Sequence, residues 1–267
     1  MLETIQITSR DNERLKSVRR VRDGRDEGRI FIEGVRLAEE ALRSEIFIEE
    51  SFMSSNFADT ERKIKLVEDL RIRDHSVAEV AENVFSSICD TQNSQGIVLI
   101  ARRPDGSKAK IEANLLNLPL VVFLHEAGDP ANLGGILRTA EAAGVAGVIV
   151  SYGSTDAFSP KAVRAAMGSS FRVPIWESVD FDEVLSWAEG LKLNTTSADI
   201  NAEASYLDID WKVPRLIVFG SEAHGLSQDM RERISESVRI PMANEVESLN
   251  LVISCGIILF EAKRQNY

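Results

Sequence analysis

Three short stretches in the second half of this 267-residue chain gather side chains able to do chemistry. The first runs Asp129-Pro130-Ala131-Asn132-Leu133-Gly134-Gly135-Ile136-Leu137-Arg138-Thr139-Ala140. Asp129 and Pro130 suit the cap and first position of a helix, and Gly144 can end it. Gly134 and Arg138 are four apart and share a face, so the side chain missing at 134 leaves room beside the guanidinium for a ligand. The same residues equally describe a capped helix with a surface arginine. The second stretch, Gly220-Ser221-Glu222-Ala223-His224-Gly225-Leu226, follows an apolar run. Its terminal glycines permit the close backbone approach of a flat or bulky ligand. Glu222 is placed to cap the next helix or to hold a cation or hydroxyl. The third stretch, Ile240-Pro241-Met242-Ala243-Asn244-Glu245-Val246-Glu247-Ser248-Leu249-Asn250, opens an almost wholly apolar segment that reaches Phe260. Ser248 and Asn250 then stand in the first turn of a buried helix, where amide donors and positive partial charge favour an oxygen-rich partner. Glu245 and Glu247 complement the same dipole.

The rest of the composition narrows the chemistry. There is no Gly-x-Gly-x-x-Gly fingerprint and no Lys-Ser/Thr phosphate loop, so a nucleotide-dependent oxidoreductase is the least supported reading. His75, His125 and His224 show no metal-ligand spacing, and Cys89 and Cys255 read as small buried residues. No metal is expected. A net charge of −11 opposes nonspecific nucleic-acid binding by the chain as a whole. Locally the balance reverses: Arg10 to Arg36 holds nine basic residues against six acidic ones. Arg10, Arg19, Arg20 and Arg22 are the candidates there for phosphate contact, with a solvated helix face as the alternative. No apolar run reaches the about 18 residues a bilayer span needs, and residues 1–30 lack a signal-peptide block. The expectation is a cytoplasmic protein with no membrane partner.

These residues need elements to position them. The second half alternates strands (Leu120 to Leu124, Gly147 to Val150, Lys192 to Thr195, Leu216 to Phe219, Val238 to Ile240) with helices (Leu133 to Ala143, Pro160 to Met167, Phe181 to Ala188, Gln228 to Ile234, Leu249 to Lys263). That alternation predicts an α/β domain with a mainly parallel sheet covered on both faces. All three stretches then leave carboxyl ends of strands, where such sheets collect ligands. The first half predicts helices at Asp11 to Val21, Gly34 to Leu42, Lys63 to Leu70 and Val77 to Val84, and strands at Ile30 to Ile32, Ile46 to Ile48 and Gly96 to Ala101. Polar, turn-rich Arg102-Arg103-Pro104-Asp105-Gly106-Ser107-Lys108 divides the halves. The division is a first domain at 1–105, a linker at 106–117 and a second domain at 118–267.

Taken in order, Asn132-x-Gly134-x-x-x-Arg138-Thr139-Ala140, Phe219-Gly220-Ser221-Glu222 with Gly225-Leu226, and Ile240-Pro241-Met242 with Ser248-Leu249-Asn250 resemble the three motifs of the SpoU (TrmH-like) RNA ribose methyltransferases. These belong to the SPOUT superfamily. The resemblance covers Leu118 to Arg264. A looser one, carried by Ile7-Thr8-Ser9-Arg10, Phe31-Ile32-Glu33-Gly34 and Gln95-Gly96, likens residues 1–100 to that family's ribosomal-protein-like substrate-binding domain.

The resemblance implies transfer of a methyl group from S-adenosylmethionine to a ribose 2′-hydroxyl of ribosomal or transfer RNA. It implies a trefoil-knotted catalytic domain, an exception to the rule against threading, and a homodimer with its sites at the interface. Gly220, Ile240 and Leu249, with Ser221 and Met242, would hold the cofactor, largely through backbone groups. Arg138 would be the central catalytic residue, with Asn132, Glu222, Ser248 and Asn250 orienting the acceptor. The chain departs from the family at Asn244, where glycine is usual; if the position needs positive φ, asparagine is the best-tolerated substitute. Two other readings stay open at this level: a SPOUT enzyme acting on a base, and an RNA-binding assembly factor without turnover.

Overall fold

The computed structural model describes residues 5–44, 46–73, 77–105, 108–116, 119–244 and 248–266, which form two compact units. The first unit holds residues up to 105 together with 158–172, and the second holds 106–157 and 173–267.

In the first unit the order is β1 (Ile5–Ile7), α1 (Glu13–Arg22), β2 (Arg29–Glu33), α2 (Val35–Arg43), β3 (Ile48–Ser54), α3 (Glu61–Ile72), β4 (Val77–Val80), α4 (Glu82–Phe85) and β5 (Ile97–Arg102). The strands make a mixed sheet, β1-β4-β3-β5-β2. Leu15, Val18 and Val21 form the buried stripe of α1, as their spacing predicts. Val77 to Val84 departs from the expected helix: Val77–Val80 is a strand paired in parallel with both β1 and β3, and a short helix follows. Val77 and Val80 are β-branched, which favours a strand, and pairing with strands on both sides overrides their helix-like spacing of three. The strand expected at Ile46 to Ile48 begins only at Ile48 and continues through polar Glu49, Glu50 and Ser51. β1 lay outside the sequence expectations altogether.

The motif Phe31-Ile32-Glu33-Gly34 has a structural explanation. The buried Glu33 carboxylate accepts from the amides of Asp90 and Thr91 and from the Thr91 hydroxyl. Gln95 Oε1 accepts from the Val35 amide at 2.8 Å, capping α2 in place of Gly34, which has no side chain. Together these bonds pin the 90–96 loop onto the β2–α2 turn. Residues 158–172, inside the second domain by sequence, carry α7 (Pro160–Ala166) and pack within the first unit. Arg164 pairs with Asp90 at 2.5 Å, and Arg172 with Glu40 at 2.9 Å.

The second unit contains α5 (Lys108–Asn114), β6 (Leu120–Leu124), α6 (Pro130–Ala143), β7 (Gly147–Ser151), β8 (Ile175–Val179), α8 (Phe181–Gly190), β9 (Asn194–Ala198), β10 (Ala204–Ser205), β11 (Arg215–Phe219), α9 (Gln228–Glu232), β12 (Glu236–Arg239) and α10 (Leu251–Gln265). Its seven-stranded sheet runs β10-β12-β9-β11-β6-β7-β8, and every pairing is parallel. β6, β7 and β11 are buried along their whole length, which is why they read as unbroken apolar runs. β8 and β10 were not expected, since edge strands with partly exposed polar residues carry no such run. The expected linker contains α5, whose fully buried Ile111 joins the core cluster of Val121, Phe123 and Trp187. Buried Arg215 bonds to Thr196 and Glu236 and lies 5.2 Å over Trp211, tying β11 to β9 and β12. Those three strands deliver the loops that build the site.

Candidate functional site

A cavity of about 650 Å³ opens at the carboxyl ends of β9, β11 and β12, the edge where parallel sheets present ligand-binding loops. Phe219, Leu226, Val238, Ile240, Met242 and Leu249 give it apolar walls. Its size and mixed lining fall in the range of small-molecule sites. Among the residues proposed from sequence, Gly220, Ser221, Ile240, Met242 and Leu249 all line it, as do Asn132, Glu222, Ser248 and Asn250. Residues far apart in the chain thus face one space.

Arg138 differs. It is exposed on α6 and is not among the lining residues. Six residues separate it from Asn132, which on a helix is a rotation of about 120° to another face. Gly134 is buried in α6 and does not line the cavity either, so it leaves no ligand space beside Arg138.

A hydrogen-bonded chain joins the three stretches at the cavity rim. Glu222 accepts from the amides of Gly128 (3.1 Å) and Asp129 (3.5 Å) and from Asn132 Nδ2 (3.2 Å). Asn132 Oδ1 in turn accepts from Asn250 Nδ2 at 3.2 Å. Asn250 is the N-cap of α10, its Oδ1 accepting from the Val252 amide at 2.9 Å. So Glu222 does not cap the helix that follows it; it reaches across to the loop entering α6. Partial burial pushes the Glu222 carboxyl up, but the amide of Gly128, its own amide, Asn132 and the amide of Asp129 outweigh that and hold it below the usual carboxylate range. α10 starts at Leu251, so Ser248 and Leu249 lie in the loop before the helix, not in its first turn. Glu245 and Glu247 lie outside the described residues.

Backbone demands explain two further residues. A Cβ on Gly220 would collide with the carbonyl carbon of Gly225 and the amide of Leu226. The glycine is required because the loop closes on itself there, helped by the Gly225 amide donating to Ser221 O at 2.9 Å. Asn244 has φ 57°, so the position does adopt the left-handed conformation in which asparagine is tolerated.

The cavity also has lining residues that the sequence did not flag: Ala198, Asp199, Ile200, Asn201, Arg231 and Ser254. The signal existed. The loop after β9 is another strand-to-helix-side exit, but the strand was expected to end at Thr195 and instead continues to Ala198.

In the first unit the four candidate arginines divide. Arg19 donates to Arg10 O at 2.8 Å and to Ser87 Oγ at 3.4 Å. Arg22 donates to the carbonyls of Ser87 and Cys89 and pairs with Asp23. These two guanidinia tie α1 to the segment after α4. Arg10 is exposed and donates to Asn83 O, while Arg20 is exposed. Cys89 is half-buried and Cys255 buried, and both are free. Among the described residues no helix is long and apolar enough to cross a membrane, and no three His, Cys, Asp or Glu side chains cluster as a metal site would require.

Comparison with known proteins identifies the family. Residues 119–260 match the SpoU rRNA Methylase family, and residues 12–99 match the MRM3-like substrate binding domain. An uncharacterized tRNA/rRNA methyltransferase of Synechocystis is 30% identical over 98% of this chain and 94% of its own length. The 23S rRNA (guanosine(2553)-2'-O)-methyltransferase RlmP of Bacillus subtilis is 27% identical over 97% of this chain and 99% of its own. The crystal structure of an AdoMet-bound rRNA methyltransferase from Sinorhizobium meliloti superposes with a TM-score of 0.83 at 30% identity, covering 99% of both chains. The chain belongs to the SpoU rRNA methylase family and carries an MRM3-like substrate-binding domain ahead of its methyltransferase domain.

Proposed function

We propose that this protein transfers a methyl group from S-adenosylmethionine to a ribose 2′-hydroxyl of ribosomal RNA. The observation that carries the reading is the single cavity into which all three sequence stretches converge, with Asn132, Glu222 and Asn250 bonded together at its rim. The cavity fits the cofactor: apolar walls for a base, with Gly220 and Ser221 lining it between them. The sulfonium supplies an activated methyl group, so the protein has only to align the acceptor and manage one proton. Asn132, Ser248 and Asn250 orient the acceptor ribose, and Glu222 holds Asn132 in place.

Arg138 lies outside this chain's cavity, so in the proposed homodimer it meets the acceptor at the partner subunit's cavity. There it grips phosphate and stabilises the developing alkoxide, since a guanidinium stays protonated and is a poor base. Its exposure suits a group that meets RNA. Arg10 and Arg20 contact phosphate in the first unit, positioning the RNA without reading its sequence. The trefoil knot and the homodimer belong to the same proposal, and family membership supports them; a cytoplasmic location is proposed with them, although family membership does not decide it.

Incubation of the purified protein with ribosomal RNA and methyl-labelled cofactor, followed by nucleoside analysis, is expected to place the label on a ribose 2′-oxygen. Label on a base, or none, sinks the proposal. Arg138→Lys is expected to lower kcat at saturating RNA by about 100-fold; near-native turnover would remove the bidentate grip from the mechanism.

A further inference from the structure

The turn after β9 is held more firmly than a surface loop requires. The Asp199 amide donates to Val238 O at 2.9 Å, and the Ala202 amide donates back to Asp199 O at 3.2 Å. The carboxylate takes two further bonds: Oδ1 accepts from the Asn201 amide at 2.9 Å, and Oδ2 from Arg231 Nη1 at 3.2 Å. Arg231 comes from α9, and Asp199 and Arg231 both line the cavity. What these four bonds hold in place is Ile200, the residue between Asp199 and Asn201.

A β-branched apolar residue is a poor choice for a turn position, where Asp, Asn, Ser, Pro or Gly serve better. Ile200 is nevertheless there, 45% exposed, and it faces the same cavity as Leu249, Met242 and Leu226. Scattered exposed hydrophobics need no explanation. One fixed by an ion pair and three backbone-anchored bonds, on a wall of a ligand cavity, has one.

We propose that Ile200 is the apolar wall against which the base of the adenosyl group packs, and that Asp199 and Arg231 are positioning residues that hold it there. This rests on the assignment of the cavity to S-adenosylmethionine. A flat heteroaromatic face gains from an aliphatic surface already fixed in place, because no side-chain or loop ordering is left to oppose binding. Ile200 touches neither the methyl nor the acceptor in this arrangement, so its effect falls on affinity and leaves the transfer step alone.

The test is calorimetry with two probes, S-adenosylmethionine and 5′-methylthioadenosine, which keeps the adenosyl group but lacks the amino-acid tail. Ile200→Ser is expected to weaken both probes by about tenfold, the effect of re-exposing one partly buried aliphatic side chain. KM for the cofactor should rise with kcat at saturation unchanged. Asp199→Ala should weaken both probes similarly, and Asp199→Asn, which keeps the bond to the Asn201 amide but loses the acceptor that faces Arg231, should recover only part of the loss. The double variant Ile200→Ser with Asp199→Ala should bind no more weakly than Ile200→Ser alone, because the carboxylate acts through that side chain. If the unaltered protein binds S-adenosylmethionine and Ile200→Ser binds both probes normally, the proposal is overturned. Additive losses in the double variant overturn the positioning role. Failure of the unaltered protein to bind either probe would instead overturn the cofactor assignment.

Discussion

Glu222 shows how much one side chain can do by reaching across the fold. Its carboxylate accepts from two amides in the loop before α6 and from Asn132, contacts 90 or more residues away in sequence. The bonds favour the ionised form, so the folded-state pKa lies below the ordinary value of 4.5. In the window between those two values the unfolded chain binds a proton that the folded chain does not, so stability rises with pH there. The contribution is therefore complete above about pH 4.5 and fades as pH falls through the depressed folded value. Glu222→Gln keeps the shape and loses the charge. Thermal melts of the two proteins are expected to differ most near pH 7 and to converge in strongly acidic buffer; a gap that stays constant with pH would show the carboxylate to be energetically idle. At this scale the sequence was informative about identity and less so about task. Glu222 was visible as an isolated acid between glycines, but the donors it serves could not be read from its neighbours.

Among the elements, α10 and α6 do most to define the site, because they meet at its rim. Gly135 faces Val252 closely, with a would-be Cβ 3.1 Å from its methyl groups, and Lys263 Nζ donates to Ala142 O at the far end of α6. Asn250 acts twice here: it caps α10 and holds Asn132. Asn250→Ala is expected to cost about 1 kcal/mol of stability as a lost N-cap and to reduce methyl transfer by more than that loss of folded protein explains. Asn250→Ser restores the cap without the reach to Asn132, so it should recover the melting temperature and not the activity. Recovery of both by serine would make Asn250 a cap and nothing more. The helix periodicity was legible in advance, with Leu133, Ile136, Leu137 and Ala140 buried as their spacing predicted. The first residue of α10 was not: an apolar run beginning at Leu249 hides the cap within it.

At the scale of the molecule, α10 leaves Ile253 at 53% and Phe260 at 49% exposure. Seven residues separate them, so both project from one face of the helix. Two large exposed apolar side chains on a single helix face are what a subunit interface would cover, and the proposed homodimer uses this face. Sedimentation or light scattering is expected to give a dimer for the unaltered protein and a monomer for Ile253→Asp with Phe260→Asp, with methyl transfer lost alongside. A monomeric unaltered protein at micromolar concentration would refute the dimer, and a dimeric double variant would move the interface elsewhere.

Sequence by itself singled out Asn132, Gly220, Glu222, Ile240, Ser248 and Asn250, which the fold brings to one cavity, and it determined that the second domain is a parallel α/β sheet with three loops leaving its carboxyl edge. Such features are local: periodicity, the cap of α6 and glycines that permit close backbone approach. Tertiary structure alone decided four other matters. Arg19 and Arg22 spend their guanidinia on backbone carbonyls. Residues 158–172 pack with the first unit. Glu222 serves the loop before α6. Ile200 becomes a wall of the cavity through an ion pair from α9. The physical reason is common to all four. Each depends on a partner supplied by distant chain, and a side chain's local pattern records what it prefers, while only packing decides what it meets.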